Sequence, residues 1–399
     1  MPHQEFTIRN LFHPLAPEDF VERYFDKTPV YIPGKEDKFR HVFSWEECNR
    51  LLNMTTLWSD QTMKMALDGR NLTPSEFCVP GITRDGHNCM RPDSGLVAEL
   101  LDQGATLVLD LIERLAPGIA GVTGALEVVF GAPTSCNAYC SWGAHQAFPS
   151  HFDTMDVFAL HVEGTKTWRI YEGRFENPAE LPGFNYSSLP PDYHEKAKGK
   201  VLKEAVMTPG DMIYLPKGQY HDALASSEAC LHLSFGVTRP IGHDLIGIVA
   251  RSLPDEPLFR ASVPHYNDIE AHRDHLRKLA DKLHELITLP ETSSQIRDHQ
   301  RRRACRSLRS FALPAREQAA LYQVHSLRAK LVRRGGGWLL TTAAGQETLS
   351  ADEAEVARWV LQREHFNADA MAEAFDNHDP AALAPIVEKL TGAGLIQAL

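Results

Sequence analysis

The segment PGDMIYLPKGQYH, residues 209–221, decides the expected fold. It opens with a turn-forming Pro-Gly-Asp, continues as a short apolar strand, turns again at Pro-Lys-Gly and ends on His221. Similar short strands, separated by Gly, Pro, Asn and Asp, recur from residue 126 to 240 and predict an all-β core of jelly-roll type. The predicted strands are Glu127–Phe130, Val157–Val162, Thr167–Tyr171, Met212–Leu215 and Leu231–Val237.

The chain on either side of this core has a helical pattern. Residues 1–125 are predicted to be mainly helical with loops, with an amphipathic helix at Asp19–Phe25, a strand at Val30–Ile32 and a leucine-rich helix at 94–115. Residues 266–288 place four leucines at spacings of three and four, which predicts a helix with one apolar face. A glycine-rich hairpin and three helices near 351–363, 367–376 and 380–392 fit a winged-helix module.

The start of the β-rich region carries a pattern typical of a metal site. His151 and Asp153 are two residues apart, so in extended chain both side chains point to the same side. His221, at the end of the hairpin, is the candidate third ligand. Two imidazoles and one carboxylate leave three positions of an octahedral iron(II) open for a bidentate cosubstrate and dioxygen. An H-x-D pair alone also occurs by chance in exposed loops.

A basic residue follows the H-x-D pair in the same β-rich region. Lys166 lies thirteen residues after Asp153, in the strand-like segment GTKTWRIY at 164–171. A lysine inside a narrow barrel is costly unless it meets an anion, and the distal carboxylate of 2-oxoglutarate is such an anion. Arg169 competes for this role, but strand alternation turns the two side chains to opposite faces. The alternative for Lys166 is a solvated turn lysine.

Taken together, these three motifs resemble those of the Jumonji C oxygenases, and most closely the cupin-4 branch that contains the ribosomal oxygenases. The resemblance covers most of the chain. It implies a mixed α and β protein with a double-stranded β-helix (jelly-roll or cupin) core, iron(II) on His151, Asp153 and His221, and 2-oxoglutarate and dioxygen as cosubstrates. It also places the distal carboxylate of 2-oxoglutarate on Lys166.

The resemblance extends to further residues and to the domain plan. Relatives use a polar residue on the strand after the third ligand, which corresponds here to His232 or Ser234, although an Asn is expected. Tyr139 and Asn137 share one face of a first barrel strand and are candidates for contacts with cosubstrate or substrate. Tyr139 fits equally well as a core residue. The expected domains are an N-terminal segment (1–125), the catalytic core (126–240), a helical dimerisation segment (241–315) and a winged-helix-like domain (316–399).

Substrate and partners are less closely specified. The family implies hydroxylation of a side-chain carbon in a protein or peptide, and a homodimer. The residues before His151, SWGAHQAFP at 141–149, differ from the glycine-rich stretch of the bacterial ribosomal enzymes. A peptide natural-product precursor is therefore a candidate substrate beside a ribosomal protein.

Composition limits the classes of partner. The chain has 399 residues, 43% hydrophobic and 23% charged, and a formal charge of −11, which disfavours binding to nucleic acid and to anionic membranes. It shows no secretory signal and no apolar run long enough to span a bilayer. Seven scattered cysteines suit a reducing compartment, so we expect a cytoplasmic protein.

Two other functions fit parts of the sequence. A winged-helix regulator that binds nucleic acid and keeps a vestigial barrel would use a basic stretch comprising Arg297, Arg301, Arg302, Arg303, Arg306 and Arg309. Against it, residues 317–399 hold 11 acidic and 7 basic residues, a balance of −4. A zinc or manganese cupin would need three histidines and a glutamate, and neither His145 nor His161 forms that spacing.

Overall fold

A computed structural model describes the chain over residues 6–83, 85–143, 148–180, 186–225, 229–304, 320–326, 329–375 and 380–399. Its centre is an antiparallel sheet of eight described strands in the order β1-β11-β8-β13-β7-β6-β2-β3. These strands are β1 (Val30–Ile32), β2 (Met63–Leu67), β3 (Arg70–Asn71), β6 (Thr106–Leu109), β7 (Thr134–Ser141), β8 (Asp156–Glu163), β11 (Met212–Leu215) and β13 (Cys230–Val237).

A second antiparallel sheet covers one face of the first. It consists of β10 (Val201–Met207), β9 (Lys166–Arg174) and β12 (Gln219–Ala225), in that order. Alternate residues of the two sheets meet in a shared apolar layer formed by Val157, Ala159, Ile213 and Leu215 on one side and Trp168, Ile170, Ala205 and Met207 on the other. The predicted antiparallel β core is confirmed, and the cavity described below lies between these two sheets.

The other face of the large sheet is also buried, which explains why seven of the eight residues of β8 are buried. Phe158 and Leu160 point away from the second sheet and join the main hydrophobic core with residues of the N-terminal helices. These helices are α1 (Ile8–Phe12), α2 (Pro17–Arg23), α3 (Trp45–Leu52), α4 (Ser94–Asp102) and α5 (Pro117–Phe130). A separate hairpin pairs β4 (Cys78–Ile82) with β5 (Asn88–Pro92).

The structure corrects three of the predicted elements. The predicted strand Glu127–Phe130 is the end of α5, a mostly apolar helix that starts at Pro117 and stops at Gly131, where φ is 62°. The predicted helix at 94–115 ends at Asp102, and the chain then turns through Gly104 into β6. Besides their helices, residues 1–125 supply four strands to the large sheet, of which the sequence predicts only β1. The sequence pattern misses β6 because a leucine-rich run suits a buried strand as well as a helix.

The C-terminal half is built on helices and small sheets. Its helices are α6 (Pro191–Ala197), α7 (Gly242–Ala250), α8 (Pro257–Arg260), α9 (Ile269–Thr288), α10 (Pro290–Ala304), α11 (Ala351–Val360), α12 (Ala368–Ala374) and α13 (Pro380–Gly392). Its strands are β14 (Leu321–Val324), β15 (Lys330–Arg334), β16 (Gly337–Thr341), β17 (Gln346–Leu349), β18 (His365–Asn367) and β19 (Ile396–Ala398). The last eighty residues enclose their own hydrophobic core. Of the basic stretch, Arg306 and Arg309 lie outside the described residues.

Candidate metal centre

The structure brings the three predicted ligands together. One donor atom each from His151, Asp153 and His221 lies within 4.8 Å of the other two. Asp153 Oδ2 is 3.6 Å from His221 Nε2, and the two imidazole rings are 4.5 Å apart between centroids. His221 is buried, whereas His151 and Asp153 are half-buried at the opening of a cavity. The cluster is therefore accessible from one side.

Backbone pairing holds the two ligand segments next to each other. His151 lies outside the regular strands and forms an isolated antiparallel bridge with His221. Its amide donates to the carbonyl of His221 at 3.0 Å, and the amide of His221 donates in return at 2.8 Å. The amide of Gly218, in the turn before β12, donates to the carbonyl of Asp153 at 2.8 Å. The hairpin at 209–221 thus returns to the H-x-D segment, as the sequence predicts.

Both histidines present the ring nitrogen that a metal requires. Nδ1 of His151 lies 2.9 Å from the carbonyl oxygen of Pro149, and Nδ1 of His221 lies 3.0 Å from that of Gln219. Since a carbonyl oxygen only accepts, Nδ1 carries the proton and Nε2 keeps its lone pair. Burial, followed by the nearby charge of His151, lowers the pKa of His221 to about 4. Two imidazoles and a carboxylate are the donor set of a non-haem iron(II) site, so these residues fit that metal.

The group of three predicted ligands opens into a cavity of about 150 Å³ between the two sheets. Alternate residues from parts of β7, β9, β12 and β13 face it, as strand alternation requires. The lining residues are Ser135, Asn137, Tyr139, Phe148, His151, Asp153, Met155, Val157, Lys166, Trp168, His221, Ala223, His232, Ser234 and Gly236. All eight residues predicted for the site line this one cavity.

Lys166 is a buried cation at this cavity. Its side chain belongs to a residue only 3% exposed, and its ammonium donates to Ser141 Oγ at 3.2 Å. Burial lowers its pKa. In the described part of the chain it forms no ion pair with a carboxylate, whereas Arg169, on the opposite face of β9, pairs with Asp222 at 2.8 Å. The cavity thus offers one positive charge to an anionic ligand, and the predicted choice of Lys166 over Arg169 agrees with the geometry.

The polar residues near Lys166 differ in what they already bind. His232 stacks on Tyr139 with ring centroids 4.7 Å apart, and its Nδ1 has no hydrogen-bond partner among the described residues. Burial lowers the pKa of His232 well below its usual value and raises that of Tyr139. Asn137 accepts a hydrogen bond from the amide of Leu111 at 3.1 Å. His232 is therefore a neutral residue with an unused polar atom beside the cavity.

Three contributors to the site are missing from the sequence prediction. The ring of Trp168 stacks on that of His221 with centroids 5.7 Å apart. Ser141 accepts a hydrogen bond from the ammonium of Lys166, and Asp222 accepts one from Ser150, the residue before His151. Alternation along β9 could have identified Trp168, which faces the same way as Lys166. Nothing local could have identified Ser141 or Asp222, whose partners are distant in sequence. Of the two histidines weighed for a zinc cupin, His161 lies 3.0 Å from the carbonyl oxygen of Gly164 through its Nε2 and does not line the cavity. His145 lies outside the described residues.

The region that contains this cavity matches a known protein family. Residues 122–245 match the family model described as JmjC domain. This segment is therefore similar to a JmjC domain. The match contains all three predicted ligands, Lys166 and the strands that line the cavity. In the part of the chain that the structure describes, no helix is both long and apolar enough to cross a bilayer.

Curated relatives align with the JmjC segment and its surroundings. The bifunctional lysine-specific demethylase and histidyl-hydroxylase NO66 of Aedes aegypti is 26% identical over 233 residues, which cover 57% of this chain and 34% of the relative. Ribosomal oxygenase 1 of Rattus norvegicus is 26% identical over 218 residues, covering 53% and 33%. The chain thus spans about a third of the length of these relatives. The uncharacterized protein YxbC of Bacillus subtilis is 24% identical over 311 residues, covering 74% and 90%.

Solved structures share the fold over nearly the whole chain. YcfD, a ribosomal oxygenase from Escherichia coli, superposes with a TM-score of 0.53 at 17% identity and covers 96% of this chain and 98% of its own. Its complex with cobalt and 2-oxoglutarate gives the same TM-score. At this identity the likeness shows a shared fold.

Proposed function

We propose that this protein is an iron(II)- and 2-oxoglutarate-dependent oxygenase that hydroxylates a side-chain carbon of a protein or peptide. The carrying observation is the combination, in one cavity of the segment similar to a JmjC domain, of a three-ligand cluster and a buried lysine that has no carboxylate partner among the described residues. A metal site alone would also suit a hydrolase or an isomerase. The lysine adds a requirement for an anionic cosubstrate, which those enzymes do not share.

Each residue of the cavity has a role in this proposal. His151, Asp153 and His221 would hold iron(II), and Lys166 would bind the distal carboxylate of 2-oxoglutarate. His232 and Ser234, with Tyr139 and Asn137, contact cosubstrate or substrate through their polar atoms. Bound iron with 2-oxoglutarate supplies the oxidation of a C–H bond by dioxygen, with succinate and carbon dioxide as the other products. The buried walls exclude bulk water and orient the substrate carbon.

The substrate is expected to reach the cavity with one side chain only. A volume of about 150 Å³ accommodates a small dicarboxylate and the end of a side chain, so the rest of the substrate remains outside. The relatives named ribosomal oxygenase and histidyl-hydroxylase support a ribosomal protein, with histidine among the residues to test. A precursor peptide of a natural product remains the second substrate class.

The proposal includes the organisation of the chain. We assign residues 1–125 to a segment that packs on the core, 126–240 to the catalytic core, 241–315 to dimerisation and 316–399 to a winged-helix-like domain. No residue of helix α9 is fully buried. Apolar side chains on and before this helix are exposed to solvent, and Tyr266 is 79% exposed. A second copy of this chain would cover that face, and light scattering tests the resulting homodimer. Six free cysteines among the described residues suit the cytoplasm.

The test is anaerobic loading with iron(II) and 2-oxoglutarate, followed by air in the presence of candidate ribosomal-protein peptides. The expected products are succinate and a peptide heavier by about 16 Da, the mass of one inserted oxygen. His151→Ala and His221→Ala should each abolish both products. Wild-type protein that binds neither metal nor 2-oxoglutarate would refute the proposal, and full activity of His221→Ala would refute the assigned ligand set.

A further inference from the structure

Asp222 is a buried carboxylate on the side of β12 that faces away from the cavity. The residue is 1% exposed and accepts three side-chain hydrogen bonds. The hydroxyls of Ser150 and Tyr171 each donate to its Oδ2 at 2.6 Å, and Nε of Arg169 donates to its Oδ1 at 2.8 Å. Arg169 compensates the buried charge, so the carboxylate is a stable acceptor at this position.

The Ser150–Asp222 contact lies next to both predicted histidine ligands in the sequence. Ser150 immediately precedes the ligand His151, and Asp222 immediately follows the ligand His221. Strand alternation keeps Asp222 on the opposite face from His221, so it is not itself a ligand. The Ser150–Asp222 hydrogen bond therefore joins the two segments that carry the imidazoles, from the side opposite the metal.

Other contacts also hold the H-x-D segment, since Phe152, between the two ligands, packs on Phe175 and Tyr220 with ring centroids 4.8 and 5.1 Å away. The segment lies before the first residue of β8, outside the regular ladders, and is held to the hairpin by the backbone bridge with His221 and by the amide of Gly218. The backbone bonds and this aromatic packing anchor the segment. The short Ser150–Asp222 hydrogen bond adds a side-chain link between the residues that adjoin the two histidines. Lys198, whose ammonium lies 3.3 Å from Ser150 Oγ, further restricts the serine.

We propose that Ser150 and Asp222 form a positioning pair that sets the relative orientation of His151 and His221 for metal binding. The inference rests on the proposed function, because it assumes that these histidines bind a divalent metal. Neither residue touches the metal or the substrate in this role. Their contribution is to keep the two imidazole nitrogens aimed at one point before the metal arrives, which lowers the cost of assembling the site.

Cobalt(II) titration, followed by visible absorption and calorimetry, measures this directly without turnover. We compare wild type with Ser150→Ala, Asp222→Asn and the double variant. The expected result is a Kd for cobalt raised about tenfold in each single variant, within the range typical of residues that orient ligands. The double variant should be no weaker than the weaker single variant, because the two changes remove one interaction. The absorption bands should also shift as the ligand geometry changes.

Asp156→Asn is the matched control. Asp156 is equally buried and accepts from a tyrosine hydroxyl, that of Tyr214, and from an arginine, Arg239, both at 2.8 Å. Thermal unfolding of the metal-free proteins should show Asp156→Asn to be destabilised at least as much as Ser150→Ala. Its affinity for cobalt and its spectrum should nevertheless match wild type, which separates positioning from general stability.

The outcomes distinguish this inference from the proposed function. If wild type binds cobalt and Ser150→Ala binds it equally tightly with an unchanged spectrum, the positioning role is refuted and the oxygenase proposal stands. Additive effects in the double variant, or an equal loss of affinity in Asp156→Asn, also refute it. A wild-type protein that does not bind cobalt overturns the proposed function itself, and this inference with it.

Discussion

Replacing Lys166 by methionine should have opposite effects on the free protein and on the complex with 2-oxoglutarate. Methionine has a similar length and no charge. In the free protein the ammonium is buried, and burial lowers its pKa, so the charged form destabilises the fold. Its single hydrogen-bond partner, Ser141, also accepts from the hydroxyl of Thr106 at 2.9 Å and is not left unpaired. We expect Lys166→Met to raise the free energy of unfolding by about 1 kcal/mol.

The variant should bind 2-oxoglutarate more weakly, because the same positive charge is missing. The distal carboxylate would enter a buried cavity without a cation, and leaving one member of a buried ion pair unpartnered costs about 3 kcal/mol. Since each 1.4 kcal/mol is a factor of ten, the Kd for 2-oxoglutarate should rise roughly a hundredfold. The stability gain of the free variant should shrink as the pH rises through the lowered pKa of Lys166, because the wild-type lysine then becomes neutral.

Calorimetry with manganese-loaded protein measures the Kd, and thermal unfolding of metal-free protein measures the stability. Lys203→Met is the control, because Lys203 lies on the exposed side of β10 over the ring of Tyr31, outside the cavity lining. It should leave the affinity for 2-oxoglutarate unchanged. A Lys166→Met variant that binds 2-oxoglutarate as wild type does would refute the assignment of the lysine to the cosubstrate.

Three further predictions concern stability and use urea or thermal unfolding of metal-free protein. Burial lowers the pKa of both His161 and His365 to about 4, so the unfolded chain takes up protons that the folded chain does not, and stability falls as the pH drops below about 6.5. At pH 5 each histidine should lower the free energy of unfolding by roughly 2 kcal/mol, and His365→Gln should remove the contribution of His365. A stability that does not change with pH would contradict this. Gly164→Ala should destabilise the protein by about 3 kcal/mol or more, since the new Cβ would lie 2.1 Å from a carbonyl oxygen. Gly131→Ala is the control, because a Cβ there meets open space, and it should cost only about 1 kcal/mol. Leu111 is 58% exposed at a φ of 59°, so Leu111→Asn should stabilise by about 0.5 kcal/mol, and a loss would show that its side chain packs more firmly than its exposure indicates.

The sequence by itself determined the local parts of the candidate site. Alternation along an extended chain puts His151 and Asp153 on one side and separates Lys166 from Arg169, because the two-residue period follows from backbone geometry alone. The turns around β11 are equally local, since Pro and Gly restrict or permit particular backbone angles. These features could be predicted and agree with the structure.

Only the tertiary structure decided how distant segments meet and what each buried group binds. Glu127–Phe130 is helical because α5 packs an apolar surface on the large sheet, and β6 is a strand because it fits between β2 and β7. The carboxylate of Asp222 meets the hydroxyl of Ser150 although 72 positions separate them. No pattern of single residues encodes such a pair. It depends on the packing of complete elements, whose free energy is a sum over many weak contacts rather than a local preference.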